Sequence, residues 1–166
     1  MNIKIPKEFQ VTPFYEKSTI ELPQSVTSFK GICQALPFYY DITGNVRPWE
    51  QKHEFLPMLF QWWSEEEGEL AKCYEQRNPQ AAKEMMRTMI AVFIDSLFWL
   101  NERPVNGVDN FHHQVSGLTY KPVNCSERLN YLLLEPNRYH TFVQLKALFS
   151  ELRKLYAKVK VIEKRK

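Results

Sequence analysis

Glycine is scarce in this chain of 166 residues: Gly31, Gly44, Gly68, Gly107 and Gly117 are all there is. That scarcity suits long helices better than a fold of many tight turns, and no glycine-rich phosphate loop can be assembled from it. The cysteines, Cys33, Cys73 and Cys125, are odd in number, far apart and free of any CxxC pair. Such a pattern belongs to reduced thiols in a cytosolic protein, not to a disulfide frame. The N-terminal MNIKIPKEFQ lacks the apolar centre of a secretory signal. The most apolar run, Met85 to Leu100, is interrupted by Arg87, Thr88, Asp95 and Ser96, and it falls short of the roughly 20 residues a membrane span needs. A soluble, cytoplasmic chain with no membrane partner is expected. There is no GxSxG elbow, no HExxH and no cysteine set close to a histidine. No catalytic residue, cofactor or metal is assigned, and the chain is read as leaning away from enzymatic chemistry.

What is present is apolar and helical. Hydrophobic content of 44% and aromatic content of 14% exclude a disordered chain, and the length suits one domain with a real core. Residues 1–25 hold Pro6, Pro13 and Pro23 without a sustained period, which predicts an extended arm anchored by Phe9, Phe14 and Tyr15. The remainder, 26–166, reads as a helical bundle with a basic C-terminal tail. A short helix between Ser25 and Tyr40 is stopped by Pro37, and Asp41 to Trp49 reads as a loop. One helix is predicted from Pro57 to about Gln76, and another from the Asn78-Pro79 start signal to about Asn101. On that second helix Glu84, Arg87, Thr88, Ala91 and Asp95 form a stripe expected to reach solvent. A short turn or helix over Val108 to Leu118 follows. Asn124 with Glu127 predicts a capping box for Cys125 to Leu134, and a last amphipathic helix runs from about Arg138 to Ile162. Nothing alternates with period two. The fold class is all-α, a single-domain bundle of about five or six helices.

Charge is uneven. From Lys146 onward eight cations face only Glu151 and Glu163, about +6, which leaves about −3 for the rest of a chain of net charge +3. Lys154, Lys158, Lys164, Arg165 and Lys166 are the candidates for contact with a partner or with nucleic-acid phosphates. Arg128, Tyr139 and His140 flank the Pro136 break and form a candidate polar cluster at a helix junction, able to satisfy helix ends or to hold a small anion. Asp95 inside an apolar helix requires either a partner (Arg87, Arg128 or His140) or a place at the edge of the stripe; a functional acid is the alternative. Two acid-x-x-His steps, Glu50 with His53 and Asp109 with His112, are the only metal-like signal, and both lie in loop-like segments. Cys125, at a helix start, has the position in which a helix dipole lowers a thiol pKa. Trp62, Trp63, Phe38, Tyr39 and Tyr40 are numerous enough for some to be exposed, and an exposed aromatic cluster would mark a protein interface.

The segments Pro13-Phe14-Tyr15-Glu16, Pro48-Trp49-Glu50 and Phe98-Trp99-Leu100-Asn101-Glu102-Arg103-Pro104-Val105 carry a further signal, with Lys121-Pro122-Val123-Asn124, Glu127-Arg128-Leu129 and Tyr139-His140-Thr141-Phe142-Val143-Gln144-Leu145. In this order they resemble the YpoC-like proteins of Bacillus and related Firmicutes, over nearly the whole chain and most firmly after Asn78. The resemblance implies a bacterial cytoplasmic setting and brings no catalytic residues. The function expected is that of a non-enzymatic protein-interaction or accessory factor. The alternative is a nucleic-acid-associated accessory protein using the basic last helix, and a weaker one is a metal-dependent bundle enzyme centred on His53 and His112.

Overall fold

The computed structural model describes residues 1–166. In chain order it contains two short strands, β1 (Asn2–Lys4) and β2 (Thr19–Glu21), then α1 (Phe29–Ala35), α2 (Tyr39–Thr43), α3 (Lys52–Glu75), α4 (Pro79–Leu100), α5 (Phe111–Ser116), α6 (Cys125–Leu134) and α7 (Tyr139–Lys164). The all-α class holds. The count of helices exceeds expectation because α2 and α5 are too short to show a period. The strands pair antiparallel, with Ile3 opposite Ile20. At three residues each they are also too short to announce themselves by alternation.

Helix α4 is the centre. Asn78 accepts a hydrogen bond from the Ala81 amide (3.3 Å) and Pro79 takes the first helical position, where its missing N–H costs nothing. Every residue from Thr88 to Leu100 is buried. Helices α3 and α7 pack on α4, and a three-helix contact of aromatic rings shows how tightly. Trp63 of α3 stacks on Phe149 of α7 at 4.5 Å between centroids, and Phe93 of α4 meets Phe149 edge-on at 5.2 Å. The buried hydroxyls of α4 are satisfied within it: Thr88 donates to the Glu84 carbonyl and Ser96 to the Val92 carbonyl.

The expected solvent stripe on α4 reaches solvent only at Glu84 and is covered from Arg87 on. The N-terminal segment crosses it, and Arg87 donates to the carbonyls of Pro13 (2.9 Å) and Phe14 (2.6 Å) instead of reaching Asp95. Phe9, Phe14 and Tyr15 are buried, and the Tyr15 hydroxyl donates to the Pro37 carbonyl at 2.7 Å. Gly107, at φ +131, lets the loop after α4 lie against this segment; a Cβ there would sit 2.5 Å from that of Glu8. Other boundaries differ for local reasons. Helix α3 begins at Lys52, five residues before Pro57, because Lys52 and Leu56 are buried and hold its first turn. Asn124 adopts φ 55 and makes no side-chain cap, so the predicted capping box with Glu127 does not form.

Asp95 has neither a cation partner nor a place at the edge. Its carboxyl is hydrogen-bonded to that of Asp41, which α2 brings against α4. Asp41 Oδ1 accepts from Trp99 Nε1 and from the Val105 amide, both at 2.9 Å. That leaves Asp41 Oδ2 and Asp95 Oδ1 as buried oxygens without an N–H donor. One proton shared by the two carboxyls supplies the donor that the pair lacks. Burial and the neighbouring Asp41 charge raise the Asp95 carboxyl well above its ordinary range. Burial raises Asp41 as well, against hydrogen bonds that lower it.

The folded protein therefore keeps a proton that the unfolded chain releases above its ordinary carboxyl pKa, so this pair contributes less stability as pH rises. Asp95→Asn supplies the same donor without a titrating proton. Its stability relative to wild type should climb from about pH 5 to about pH 8, by up to ~1.4 kcal/mol per pH unit, in denaturant titrations. Parallel profiles would show that no proton is shared. Asp95→Leu supplies no donor to Asp41 and should lower the melting temperature.

Candidate functional site

Helix α7 has two faces of different chemistry. Thr141, Phe142, Leu145, Leu148, Phe149, Leu152, Tyr156 and Val159 are buried against the bundle. At 100° per residue, Tyr139, His140, Val143, Ala147, Ser150, Lys154, Ala157, Lys158, Val161 and Arg165 fall within about a 100° arc on the other side. All ten are exposed. At about 1.5 Å per residue the strip is ~39 Å long. Its N-terminal end is mainly apolar, with Tyr139 63% and Val143 39% exposed beside His140, and Leu134 at the end of α6 is 79% exposed. Tyr139 is steadied from below by Tyr74 of α3, ring centroids 5.8 Å apart.

The C-terminal half of the strip is cationic and unopposed. Both acids of the segment turn away from it: Glu151 takes a bidentate pair from Arg128 (3.0 and 2.5 Å) and Glu163 faces α3. Several basic side chains of α7 also lean toward α3. Lys146 pairs with Glu67 at 3.3 Å, Arg153 donates to Ser64 Oγ at 2.9 Å, and Lys160 lies over the Tyr156 ring. Lys154, Lys158, Lys164, Arg165 and Lys166 are exposed and enter no ion pair in the structure.

The junction cluster does not assemble as one. Arg128 and His140 line an open groove of ≈ 540 Å³ between α6 and α7, with Asn124, Glu127, Tyr131 and Gln144. Tyr139 is not among them and belongs to the apolar end of the strip. The Arg128 guanidinium is committed to Glu151 and to the Val123 carbonyl, and His140 meets the Tyr131 ring edge-on. At the turn itself Thr141 donates to the Glu135 carbonyl.

A second polar cluster, around His53, went unread in the sequence. Lys52 is buried and donates to Glu102 Oε1 (2.8 Å) and Glu163 Oε1 (2.5 Å), joining the start of α3 to the ends of α4 and α7. His53, on the first turn of α3 and not in a loop, must donate from Nε2 to Glu163 Oε2 (2.6 Å), because a carboxylate only accepts. Its Nδ1 then accepts from the Tyr156 hydroxyl at 3.0 Å. The hydrogen bond from Lys52 holds the Glu163 carboxyl below its ordinary value. Burial alone would lower the Lys52 ammonium, but its two carboxylates outweigh this and raise it. The acid-x-x-His steps thus part company: His53 faces Glu163, His112 sits exposed on α5, and no three His, Cys, Asp or Glu side chains converge on a point where a metal ion would fit.

The remaining candidates resolve into packing. Burial pushes the Cys125 thiol up to about 12, overriding the helix start that lowers thiols elsewhere. Phe38, Tyr39, Tyr40, Trp62 and Trp63 are all buried, so they form no exposed aromatic cluster. The exposed large apolar residues are instead Met1, Val46, Val123, Leu134, Tyr139, Val143 and Val161, of which Tyr139, Val143 and Val161 share the outer face of α7.

A family profile described as YpoC-like protein matches residues 53–164, from the first turn of α3 to the end of α7. The chain belongs to the YpoC-like family. It is 29% identical over 153 residues to a Bacillus subtilis (strain 168) protein named "Uncharacterized protein YpoC", an alignment covering 90% of this chain and 93% of that one. No solved structure matches it. No helix is long and apolar enough to cross a membrane.

The Lys52–Glu163 contact sets a limit on the tail. Although Val159 is the last buried residue of α7, cutting after Ile162 removes Glu163 and leaves Lys52 with Glu102 alone. That truncation should cost about 1–2 kcal/mol in chemical denaturation, discounted for the partial exposure of Glu163. Cutting after Glu163 should leave stability unchanged. Equal stabilities for the two truncations would remove the contact from the account.

Proposed function

We propose that this protein is a non-enzymatic accessory factor of the bacterial cytoplasm that binds another protein across the outer face of α7. The observation that carries this reading is the pair Tyr139 and Val143, one turn apart at the apolar end of the exposed strip that runs on to Arg165, with Leu134 exposed at the end of α6. Single apolar side chains on a surface need no explanation. Two large ones a turn apart on an exposed helix face, with an aromatic ring propped by another ring, match the anchors of protein interfaces.

The unpaired cations at Lys154, Lys158, Lys164, Arg165 and Lys166 favour a second reading, contact with nucleic-acid phosphates. Anisotropy of labelled DNA and RNA at low and near-physiological salt separates the two, since phosphate contacts weaken steeply with salt.

Tyr139→Ser combined with Val143→Ser removes the exposed pair and gives up only the Tyr139 ring contacts with Tyr74 and Phe142, so the melting temperature should fall only slightly. In affinity capture from bacterial lysate, a protein retained by wild type should be lost from this variant. Retention of the same proteins by both would contradict the reading.

A further inference from the structure

The outer face of α7 is graded along its length, and the gradient specifies more than that something binds there. Tyr139, Val143 and Ala147 make its first half mainly apolar; Lys154, Lys158 and Arg165 make its second half cationic. Between and among the lysines stand small or aliphatic side chains, Ser150, Ala157 and Val161, which let another backbone approach closely. No acid lies on the strip, and the two acids of this part of the helix are paired elsewhere, Glu151 with Arg128 and Glu163 with Lys52. We propose that this face receives an acidic amphipathic segment of a partner protein, its apolar anchors over Tyr139 and Val143 and its carboxylates over Lys154, Lys158 and Arg165. The proposal rests on the protein-binding reading above and adds the chemistry of the partner.

Charge complementarity selects an anionic partner, and the apolar half decides between kinds of anion. A phosphate backbone presents charge along its whole length and gains nothing from Tyr139 and Val143. An amphipathic segment lying along a helix presents apolar anchors at i, i+4 and i+7 spacing and uses acids to set direction. Tyr139 and Val143 are four residues apart, as are Lys154 and Lys158, so one side of a facing helix meets both pairs in register. The gradient also fixes orientation, because a segment docked the wrong way round sets its carboxylates over the apolar end and leaves the cations unopposed.

The test places a photocrosslinker, p-benzoylphenylalanine, at Ala157 in the full chain, expressed in a Bacillus host, with the same group at exposed Lys17, between β1 and β2, as control. The proposal predicts a protein adduct specific to position 157, whose crosslinked peptide is rich in Asp and Glu beside apolar residues. Its yield should fall at least about tenfold when Lys154→Glu, Lys158→Glu and Arg165→Glu are combined, while the far-UV spectrum and melting temperature stay as in wild type. A protein adduct whose yield survives that charge reversal would keep the protein-binding reading and overturn the acidic partner. A nuclease-sensitive adduct, or none specific to position 157, would overturn both.

Discussion

An acid in the middle of a helix buried on every side must either meet a cation or keep its proton, and around Asp95 no cation is available. Arg87, two turns earlier, directs its guanidinium to the carbonyls of Pro13 and Phe14. What Asp95 meets is Asp41, and the proton between them lets the two carboxyls share a site from which water is excluded. The consequences spread through the molecule. Asp41 is tied through the same carboxyl to the Trp99 ring and to the backbone at Val105, so one contact fastens α2, α4 and the segment that leaves α4. With α4 fastened and covered by the N-terminal segment, α3 and α7 take the remaining sides and their ends are joined by Lys52, Glu102 and Glu163.

That arrangement determines what is left for recognition. Helix α7 gives its apolar face to α4 and α3, its flank to ion pairs with α3 and α6, and nothing to its outer side. A helix of this length ordinarily carries mixed charge on a solvated face. Here the outer face carries cations at one end and apolar residues at the other, while the acids are turned inward to Arg128 and Lys52. The division follows from packing, since the acids were needed to neutralise cations buried or half-buried at the bundle's seams.

Long elements were legible in the sequence because periodicity over many residues is a strong signal. The Asn78-Pro79 start, the range of α6 and the amphipathic face of α7 were all readable from spacing, and the segments Phe98 to Val105 and Tyr139 to Leu145 carried the family. The roles of those segments were not readable. Trp99, Asn101 and Glu102 act through partners 19 to 58 residues away in sequence, Asp41, Tyr120 and Lys52. Asp41 stands in a stretch whose Gly44-Asn45 pair and Pro48 read as loop, so nothing local announces it as the partner of Asp95. The same locality explains the surface. Tyr139 and Val143 look ordinary on an amphipathic helix, and only the packing of α7 leaves them outside, whereas Phe38, Tyr39, Tyr40, Trp62 and Trp63 go to the core.

The claim on which the architecture turns is that the pair of Asp41 and Asp95 keeps a proton at neutral pH. Carbon-13 spectra of the aspartate side-chain carboxyls, followed across a pH titration and assigned with Asp95→Asn, test it directly. One aspartate resonance should remain at the position of a protonated carboxyl at neutral pH and vanish in the variant. If every aspartate instead titrates at an ordinary acidic midpoint, no proton is shared and the centre of the fold must be held in another way.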